Sequence, residues 1–237
     1  MYDIVFNGKH SFNDMGLKRI NATEHKAPTK NKIQQTIPFM NGSYDFSNLY
    51  GSATYSDREF TYSFLVEIEN EALMNYRKIE IENWLLGANK KTILIDEDLK
   101  GYYYLAECID IDFDNYYSFG LIDVTFTAYP FKIGEAYEGN NLWDSFNFEL
   151  DVLQDTKFTV NGSSNVNIYN SSAIDIEPTI IASSNFEIIK DNKKYVVESG
   201  ESKDYRFKLK KGANNLTLKG NGTIEFKFRK EVLWCTL

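Results

Sequence analysis

A regular alternation of apolar and polar residues from residue 59 to residue 69 constrains the fold of this chain more than any other feature. Successive side chains of a β-strand point to opposite faces, so a period of two over this length predicts a strand that is buried on one side. The apolar residues that would share the buried face are Phe60, Tyr62, Phe64, Val66 and Ile68. A chain built on such segments is expected to fold mainly as β-sheet.

Other segments of the first half extend this pattern. Residues 121–129 alternate in the same way, residues 102–107 are aromatic and apolar, and Ile109, Ile111 and Phe113 alternate with aspartates. Each of these segments is predicted to be a strand.

One segment has helical spacing instead. Asn70 can cap a helix, Glu71 places a negative charge in its first turn, and Gly87 is expected to stop it. The spacing predicts a helix from Glu71 to Leu86 that packs against the sheet. Its apolar side chains form an imperfect stripe made of Leu73, Tyr76, Trp84 and, one row over, Met74, Ile81 and Leu85.

The second half carries short apolar runs at close spacing. Residues 130–141 form a linker or long loop before them. Dipeptides that favour turns separate the runs, for example Asp191-Asn192, Lys211-Gly212 and Asn221-Gly222. Many short strands joined by such turns predict an antiparallel β-sandwich. The strand candidates are residues 165–169, 179–182, 186–189, 195–197, 205–209, 216–218 and 224–228.

Charge is distributed unevenly along the 237 residues. The chain has 26 Lys and Arg against 34 Asp and Glu, a net charge of −8. Residues 185–237 contain 12 basic and 7 acidic residues, which gives +5, so the remainder carries −13. The acidic balance argues against non-specific nucleic-acid binding. We expect neither a signal peptide nor a transmembrane helix.

The sequence offers no convincing catalytic, cofactor-binding or metal-binding residue. His10 and His25 lie in polar, irregular contexts, and the two cysteines, Cys108 and Cys235, form no zinc or redox motif, so we expect free thiols. Nucleotide-binding glycine motifs and the nucleophile elbow are absent. We therefore predict a protein that is not an enzyme and needs no cofactor.

The aspartates at 110, 112 and 114 resemble the start of a calcium-binding loop. Such a loop needs Gly at its sixth position and Glu at its twelfth, where this chain has Asn115 and Leu121. The polar face of a strand is the better interpretation, although a bound cation or a basic partner stays open. Four aromatic residues could stack on a sugar or could equally belong to a core or an interface: Trp143, Tyr169, Tyr195 and Trp234.

Several motifs of the first half, taken in order, resemble the distal tail protein family of siphophages, the long-tailed phages with non-contractile tails. Residues 3–8 with Ser11-Phe12 resemble the first strand and turn of that family. Residues 37–46, IPFMNGSYDF, resemble its "(I/V)P-x-x-(D/N)G-x-x-D" loop, although Phe39 stands where family members usually have Gly. The remaining matches are residues 55–60 to "Y-x-x-R", residues 100–104 after the helix, and residues 128–131 to the "YPF" strand end.

The resemblance implies a structural role and an architecture of two domains. Residues 1–135 would form an N-terminal ring-forming domain, a β-barrel-like or split-barrel domain with one α-helix and a hairpin. Residues 136–237 would form a C-terminal galectin-like antiparallel β-sandwich. Such proteins assemble as a homohexameric ring, the hub, at the tail tip or baseplate of the virion after synthesis in the bacterial cytoplasm. No catalytic residue is carried over from the family.

The partners implied are the tail tube protein, the tape measure protein, the tail-associated lysin or tip protein, and receptor-binding proteins. DNA would pass through the lumen without specific binding, and acidic side chains lining the lumen would help by repelling it. Two other functions stay open at this point. The C-terminal sandwich could act as a carbohydrate-binding module or host-surface adhesin for a cell-surface glycan, or the protein could degrade a polysaccharide.

Overall fold

The computed structural model divides the chain into two compact units, and each is described by itself. The first contains the described residues up to Lys132 together with Leu233, and the second contains those from Ile133 to Val232. The mainly-β prediction is confirmed. No helix in the described part of the chain is long and apolar enough to span a bilayer. The structure describes residues 3–21, 25–49, 51, 53–67, 71–88, 90–115, 119–139 and 152–233.

The first unit is built on an antiparallel sheet and one helix. Its elements are β1 (Ile4–Phe6), β2 (Lys9–His10), β3 (Lys18–Arg19), β4 (Gln34–Gln35), β5 (Tyr44–Asp45), β6 (Arg58–Glu67), α1 (Glu71–Leu86), β7 (Thr92–Asp96), β8 (Tyr102–Asn115) and β9 (Phe119–Ala128). The main sheet has the order β2–β1–β7–β8–β9–β6–β3. Strands β4 and β5 pair only with each other, as a separate ribbon.

The alternation that dominates the sequence is confirmed in β6. Phe60, Tyr62, Phe64 and Val66 are buried, whereas the residues between them are exposed or half-buried. Ile68 lies outside the described residues. Strand β9 pairs with β6 along its whole length and buries its own alternate residues in the same way.

Strand β8 joins two segments that the sequence patterns present as separate strands. A bulge between Cys108 and Asp110 shifts its register against β9. The extra residue, Ile109, is exposed, so Cys108 still faces the core while Asp110 begins an outward-facing row. The bulge explains why the apolar periodicity changes phase in the middle of one strand.

Helix α1 has the predicted bounds and ends directly before Gly87; its predicted cap, Asn70, lies outside the described residues. Trp84 packs edge-on against Phe6, and its indole N–H donates to the Phe6 carbonyl at 2.8 Å. The predicted stripe was wrong in part, because Leu73 and Tyr76 are exposed. The buried side of the helix consists of Met74, Ile81, Trp84 and Leu85.

The second unit is an antiparallel arrangement around one long strand. Its elements are β10 (Lys132–Gly134), which begins at the boundary, β11 (Lys157–Asn170), β12 (Thr179–Ala182), β13 (Phe186–Lys190), β14 (Lys193–Val197), β15 (Gly200–Ser202), β16 (Gly212–Lys227) and β17 (Glu231–Val232). The order is β14–β13–β16–β12–β15, and β11 pairs with β16 from end to end. Whether this arrangement is galectin-like, and whether the first unit is a split barrel, stay predictions.

Two predicted strands, 216–218 and 224–228, are parts of the single strand β16, so the predicted turn at Asn221-Gly222 was wrong. The first half of β16 pairs with β13 and the second half with β12, and Gly220 and Gly222 lie where the partner changes. Both have positive φ, and a Cβ at Gly222 would come within 2.4 Å of Ser183 Oγ. Glycine therefore lets one strand serve two neighbours.

The strand predicted at 205–209 was also wrong. Asp204 Oδ1 accepts hydrogen bonds from the backbone N–H and from the guanidinium of Arg206, and Phe207 N–H donates to the Asp204 carbonyl at 3.0 Å. These bonds hold residues 204–207 in a turn, because a short acidic side chain can satisfy nearby backbone groups in place of a sheet partner. Only Leu209 forms an isolated bridge, to Ile176.

Candidate functional site

An acidic face covers the outer side of the main sheet in the first unit. Register places Asp112 of β8 directly opposite Asp123 of β9, and Ser63 of β6 donates to Asp123 at 2.5 Å. Among the described residues, none of these carboxylates joins a salt bridge and no acidic group is arranged to hold a metal ion. The acidic face consists of Glu59, Glu67, Glu107, Asp110, Asp112, Asp114 and Asp123.

This face supports the interpretation of the three aspartates as the polar side of a strand rather than a calcium loop. Like charges opposite each other on neighbouring strands destabilise a sheet, so the arrangement weakens the fold slightly. Hydroxyl groups fill the spaces between the carboxylates, with Thr61 and Thr125 in hydrogen-bond contact at 2.9 Å. The result is a hydrophilic, negatively charged sheet surface that repels polyanions.

A buried charge network lies at the opposite, inner side of the same sheet. The side chain of Asp96 at the end of β7 is fully buried and accepts hydrogen bonds from Arg19, His25 and Tyr62 at 2.8–2.9 Å. Burial alone raises the pKa of Asp96, but the hydrogen bond from His25 and the charge of Arg19 outweigh it and lower that pKa to about 2. Arg19 also contacts Asp98 at 2.9 Å.

The network shows that His25, predicted to lie in a polar, irregular context, is packed among aromatic side chains. His25 stacks on Tyr104 at 5.3 Å in addition to its contact with Asp96. Its Nδ1 atom is buried and has no hydrogen bond within the described residues. A catalytic histidine needs a reacting group within hydrogen-bond distance. The ring of His25 is instead enclosed by aromatic side chains and bonded to a carboxylate that also pairs with Arg19. The cluster anchors the chain just before residue 26.

His10 also has a structural role. Its Nδ1 accepts from the backbone N–H groups of Phe12 and Asn13, and its Nε2 lies 3.2 Å from Glu97 Oε1. These bonds shape the turn after β2. Cys108 is a buried free thiol whose pKa is raised by burial to about 11, so it is a poor nucleophile. Cys235 lies outside the described residues.

Two of the sequence motifs meet in the first unit. Arg58, from the "Y-x-x-R" motif, is buried and donates to the carbonyl of Pro130 at 2.5 Å, which belongs to the "YPF" motif. The rings of Tyr55 and Phe131 from the same two motifs contact each other at 5.6 Å. The motifs are therefore one packing unit, in which the guanidinium satisfies backbone carbonyls at a strand end.

The ribbon of β4 and β5 belongs to an exposed arm, which consists of residues 30–49. Backbone bonds between Asn31 and Thr54 and between Ser56 and Thr29 close its base. Nearly every residue of the arm is exposed, including Phe39, which has a φ of +68°. Six large apolar side chains of the arm face solvent: Ile33, Ile37, Phe39, Tyr44, Phe46 and Leu49.

An uncharged amide face lies on the outer side of β11 and β16 in the second unit. Asn167 donates to Asn215 at 2.7 Å, and Thr217 donates to Asn165 at 2.8 Å. Tyr169 continues this row and is 42% exposed.

Two of the four aromatic candidates for stacking on a sugar, Tyr169 and Tyr195, lie in the described part of the chain, and of these two Tyr169 is the exposed one. Tyr195 is half-buried and packs edge-on against the buried Phe207 at 5.1 Å, at the edge of the core. Trp143 and Trp234 lie outside the described residues.

Comparisons with known proteins give one informative result. No family model and no curated protein matches the chain. Among solved structures, the crystal structure of SPP1 Dit (gp 19.1) matches with a TM-score of 0.63 over 97% of this chain and 99% of that chain, at 12% sequence identity. That protein is described as a paradigm of the hub adsorption apparatus in phages that infect Gram-positive bacteria. This chain therefore shares the fold of SPP1 Dit, and the match extends over both units.

Proposed function

We propose that this protein is a structural component of a phage tail tip, where it forms a hexameric ring, the hub, that connects the tail tube to tip and receptor-binding proteins. The observation that carries the proposal is the fold match, because it extends over both units and leaves almost no part of either chain unaccounted for. Fold alone is a weak guide to function, but a match of this extent preserves the architecture on which an assembly role depends. The proposal assigns no catalytic activity.

The acidic face gives the ring a suitable inner wall. A phosphate backbone binds to basic groups, whereas this sheet surface carries seven carboxylates with hydroxyls between them and therefore repels it. We propose that this face lines the lumen, so that the genome passes without adhering. A ring structure with a neutral or basic lumen would contradict this assignment.

The second unit is proposed to face outward and to dock the tip proteins. It includes most of residues 185–237, whose net charge is +5 against −13 for the remainder of the chain. The second unit as a whole carries −2, because its residues 133–184 carry −7. Its basic segment, residues 185–232, nevertheless differs in sign from the acidic face of the first unit, which lets the two surfaces engage different neighbours.

Native mass spectrometry of the purified chain tests the ring directly. A closed hexamer has a mass of about 164 kDa, six times the chain mass of 27.4 kDa, and should appear as a six-fold ring in negative-stain images. Antibody labelling of intact virions should place the protein at the tail tip. A chain that stays monomeric at about 100 µM, or a label elsewhere on the virion, would contradict the proposal.

A carbohydrate-binding role is the second candidate, and the exposed Tyr169 beside the amide face favours it. Amide groups hydrogen-bond sugar hydroxyls and an aromatic ring stacks on a sugar face, so the two together suit a neutral glycan. Glycan-array binding by the full chain that is lost in Tyr169→Ala but kept in Tyr205→Ala, an exposed tyrosine elsewhere in this unit, would support this role. If the full chain binds no glycan on the array, the carbohydrate-binding role is excluded.

A further inference from the structure

The exposed arm carries more apolar surface than a free monomer normally shows. Side chains of this size bury about 150–250 Å² each, so the six apolar residues of the arm expose on the order of 700 Å². The largest apolar patch of a typical monomer is about 300–600 Å², whereas a standard protein interface buries about 800 Å² on each partner. The arm is also a two-stranded ribbon, which is marginally stable alone in water. The exposed apolar area of the arm and its two-stranded structure are typical of a protein interface.

Phe39 lies in the loop that joins β4 to β5, at the end of the arm. It is fully exposed, and its φ of +68° lies in the left-handed region that favours glycine. An aromatic residue in a conformation that disfavours it indicates that the side chain itself is needed, since local stability would favour glycine.

A second apolar surface of the first unit lies on the outer side of α1. Tyr76, Ile79 and Leu86 are 73%, 56% and 51% exposed, and with Asn83 they follow the spacing of one helix face. A groove runs beside this stripe. It is lined by Asn7, Lys9, Tyr76, Ile79, Glu80, Asn83 and Trp84.

Charge favours contact between the two surfaces. The arm, residues 30–49, has two lysines and one aspartate, a net charge of +1, whereas α1 has three glutamates against one arginine and one lysine, a net charge of −1. Because the arm and the helix stripe are both exposed in a single copy, they do not cover each other within it. The arm can cover the helix stripe only when the two belong to different copies of the chain. An interface made of two different surfaces can repeat from subunit to subunit around a closed ring.

We infer that the arm of one copy lies across α1 of a second copy of this chain and that Phe39 fills the groove beside Tyr76 and Ile79. This inference deepens the proposed ring and rests on it. It assigns the arm as the donor and the helix stripe as the acceptor of each junction between neighbouring subunits. The buried Asp96 network then acts as the anchor that holds the base of the arm in place.

Phe39→Gly separates folding from assembly. Glycine relieves the left-handed backbone, so the thermal midpoint of the isolated chain should not fall. Loss of the Phe39 side chain should weaken assembly by roughly thirtyfold or more, measured as the concentration at which the ring dissociates. Val196→Ser, which removes a 79% exposed apolar side chain from the second unit, is the matched control and should leave the ring unchanged.

A mixing experiment tests the pairing of the two surfaces. Ile79→Lys places a positive charge on the helix stripe. In a solution of this variant by itself, ring formation should also be prevented. In an equimolar mixture, the intact arm of Ile79→Lys can bind the intact groove of Phe39→Gly, but neither product can extend further. Native mass spectrometry of the mixture should therefore show heterodimers and no larger species.

The outcomes distinguish this contact from the ring itself. A wild-type chain that never assembles contradicts the proposed ring. A wild-type ring that persists in Phe39→Gly, or a mixture that stays monomeric although both variants are folded by circular dichroism, leaves the ring standing and overturns the arm-to-helix contact.

Discussion

The buried Asp96 carboxylate offers the sharpest test of how the first unit is held together. Asp96→Asn removes the negative charge that faces Arg19 and His25, whereas Asp98 still lies 2.9 Å from Arg19. Removing one partner of a buried ion pair costs about 3–5 kcal/mol. Because Asp98 continues to compensate Arg19, we expect the free energy of unfolding at pH 7 to fall by about 3 kcal/mol, at the lower end of that range.

The pH dependence gives an independent measure of the same interaction. The pKa of Asp96 is lowered from 3.8 to about 2, and a difference of this size corresponds to roughly 2 kcal/mol of stability. Since the folded pKa is the lower one, this stabilisation is complete above the unfolded pKa and is lost as the pH falls through the folded pKa. The gap between wild type and Asp96→Asn should therefore narrow between pH 5 and pH 2.

Urea unfolding followed by near-UV circular dichroism at pH 7, 5, 3 and 2 measures both effects. Asp112→Asn is the matched control, because it makes the same chemical change on the acidic face. It should leave stability unchanged or raise it by up to about 0.5 kcal/mol, since Asp112 faces Asp123 across the sheet. A loss below about 1 kcal/mol for Asp96→Asn, or a loss equal at every pH, would refute the idea that Asp96 holds Arg19 and His25 through its charge.

Three other contacts can be tested by single changes. Cys108 should resist a maleimide reagent at pH 7.5 in the folded chain and react fully in urea, because its thiol is buried and its pKa is raised to about 11; rapid labelling of the native protein would contradict this. Gly222→Ala should lower the free energy of unfolding in urea by about 2 kcal/mol or more, because its Cβ would meet Ser183. Gly162→Ala, where a Cβ meets nothing within 4 Å, should lower it by only about 1 kcal/mol. Equal losses for the two variants would show that the Ser183 side chain moves aside. Trp84→Phe should cost about 1–2 kcal/mol by leaving the buried Phe6 carbonyl unpaired, and an unchanged unfolding midpoint would contradict that role.

Local patterns identified the long elements of the first unit, β6, α1, β8 and β9, but not the short strands β2, β3, β4, β5 and β7. Strand β6 was predictable because its alternation extends over ten residues. Helix α1 was predictable mainly from its end signals, Glu71 and Gly87, because only part of its apolar stripe is buried. The patterns failed where a single residue changes the geometry. The bulge at Ile109 and the glycines of β16 are such places, because their effect depends on which neighbouring strand lies alongside.

The candidate surfaces depended still more on tertiary structure. His25 and Asp96 are 71 residues apart in sequence, so no local pattern could place them together. The sequence also could not predict that Phe39 is exposed, because an apolar residue in a loop can equally belong to a core or to an arm. The resemblance of the first-half motifs to distal tail proteins pointed to the fold that the comparison with SPP1 Dit then supplied.

The sequence by itself determined that the chain is mainly β, where the helix and the long strands of the first unit lie, and that its charge divides into an acidic and a basic part. These properties follow from periodicity and composition, which each segment carries on its own. Only the tertiary structure decided that three aspartates join a continuous acidic face, that Asp96 gathers a buried network, and that an apolar arm stands in solvent. Such features arise from register and chain reversal, which bring together residues that have no relation along the sequence.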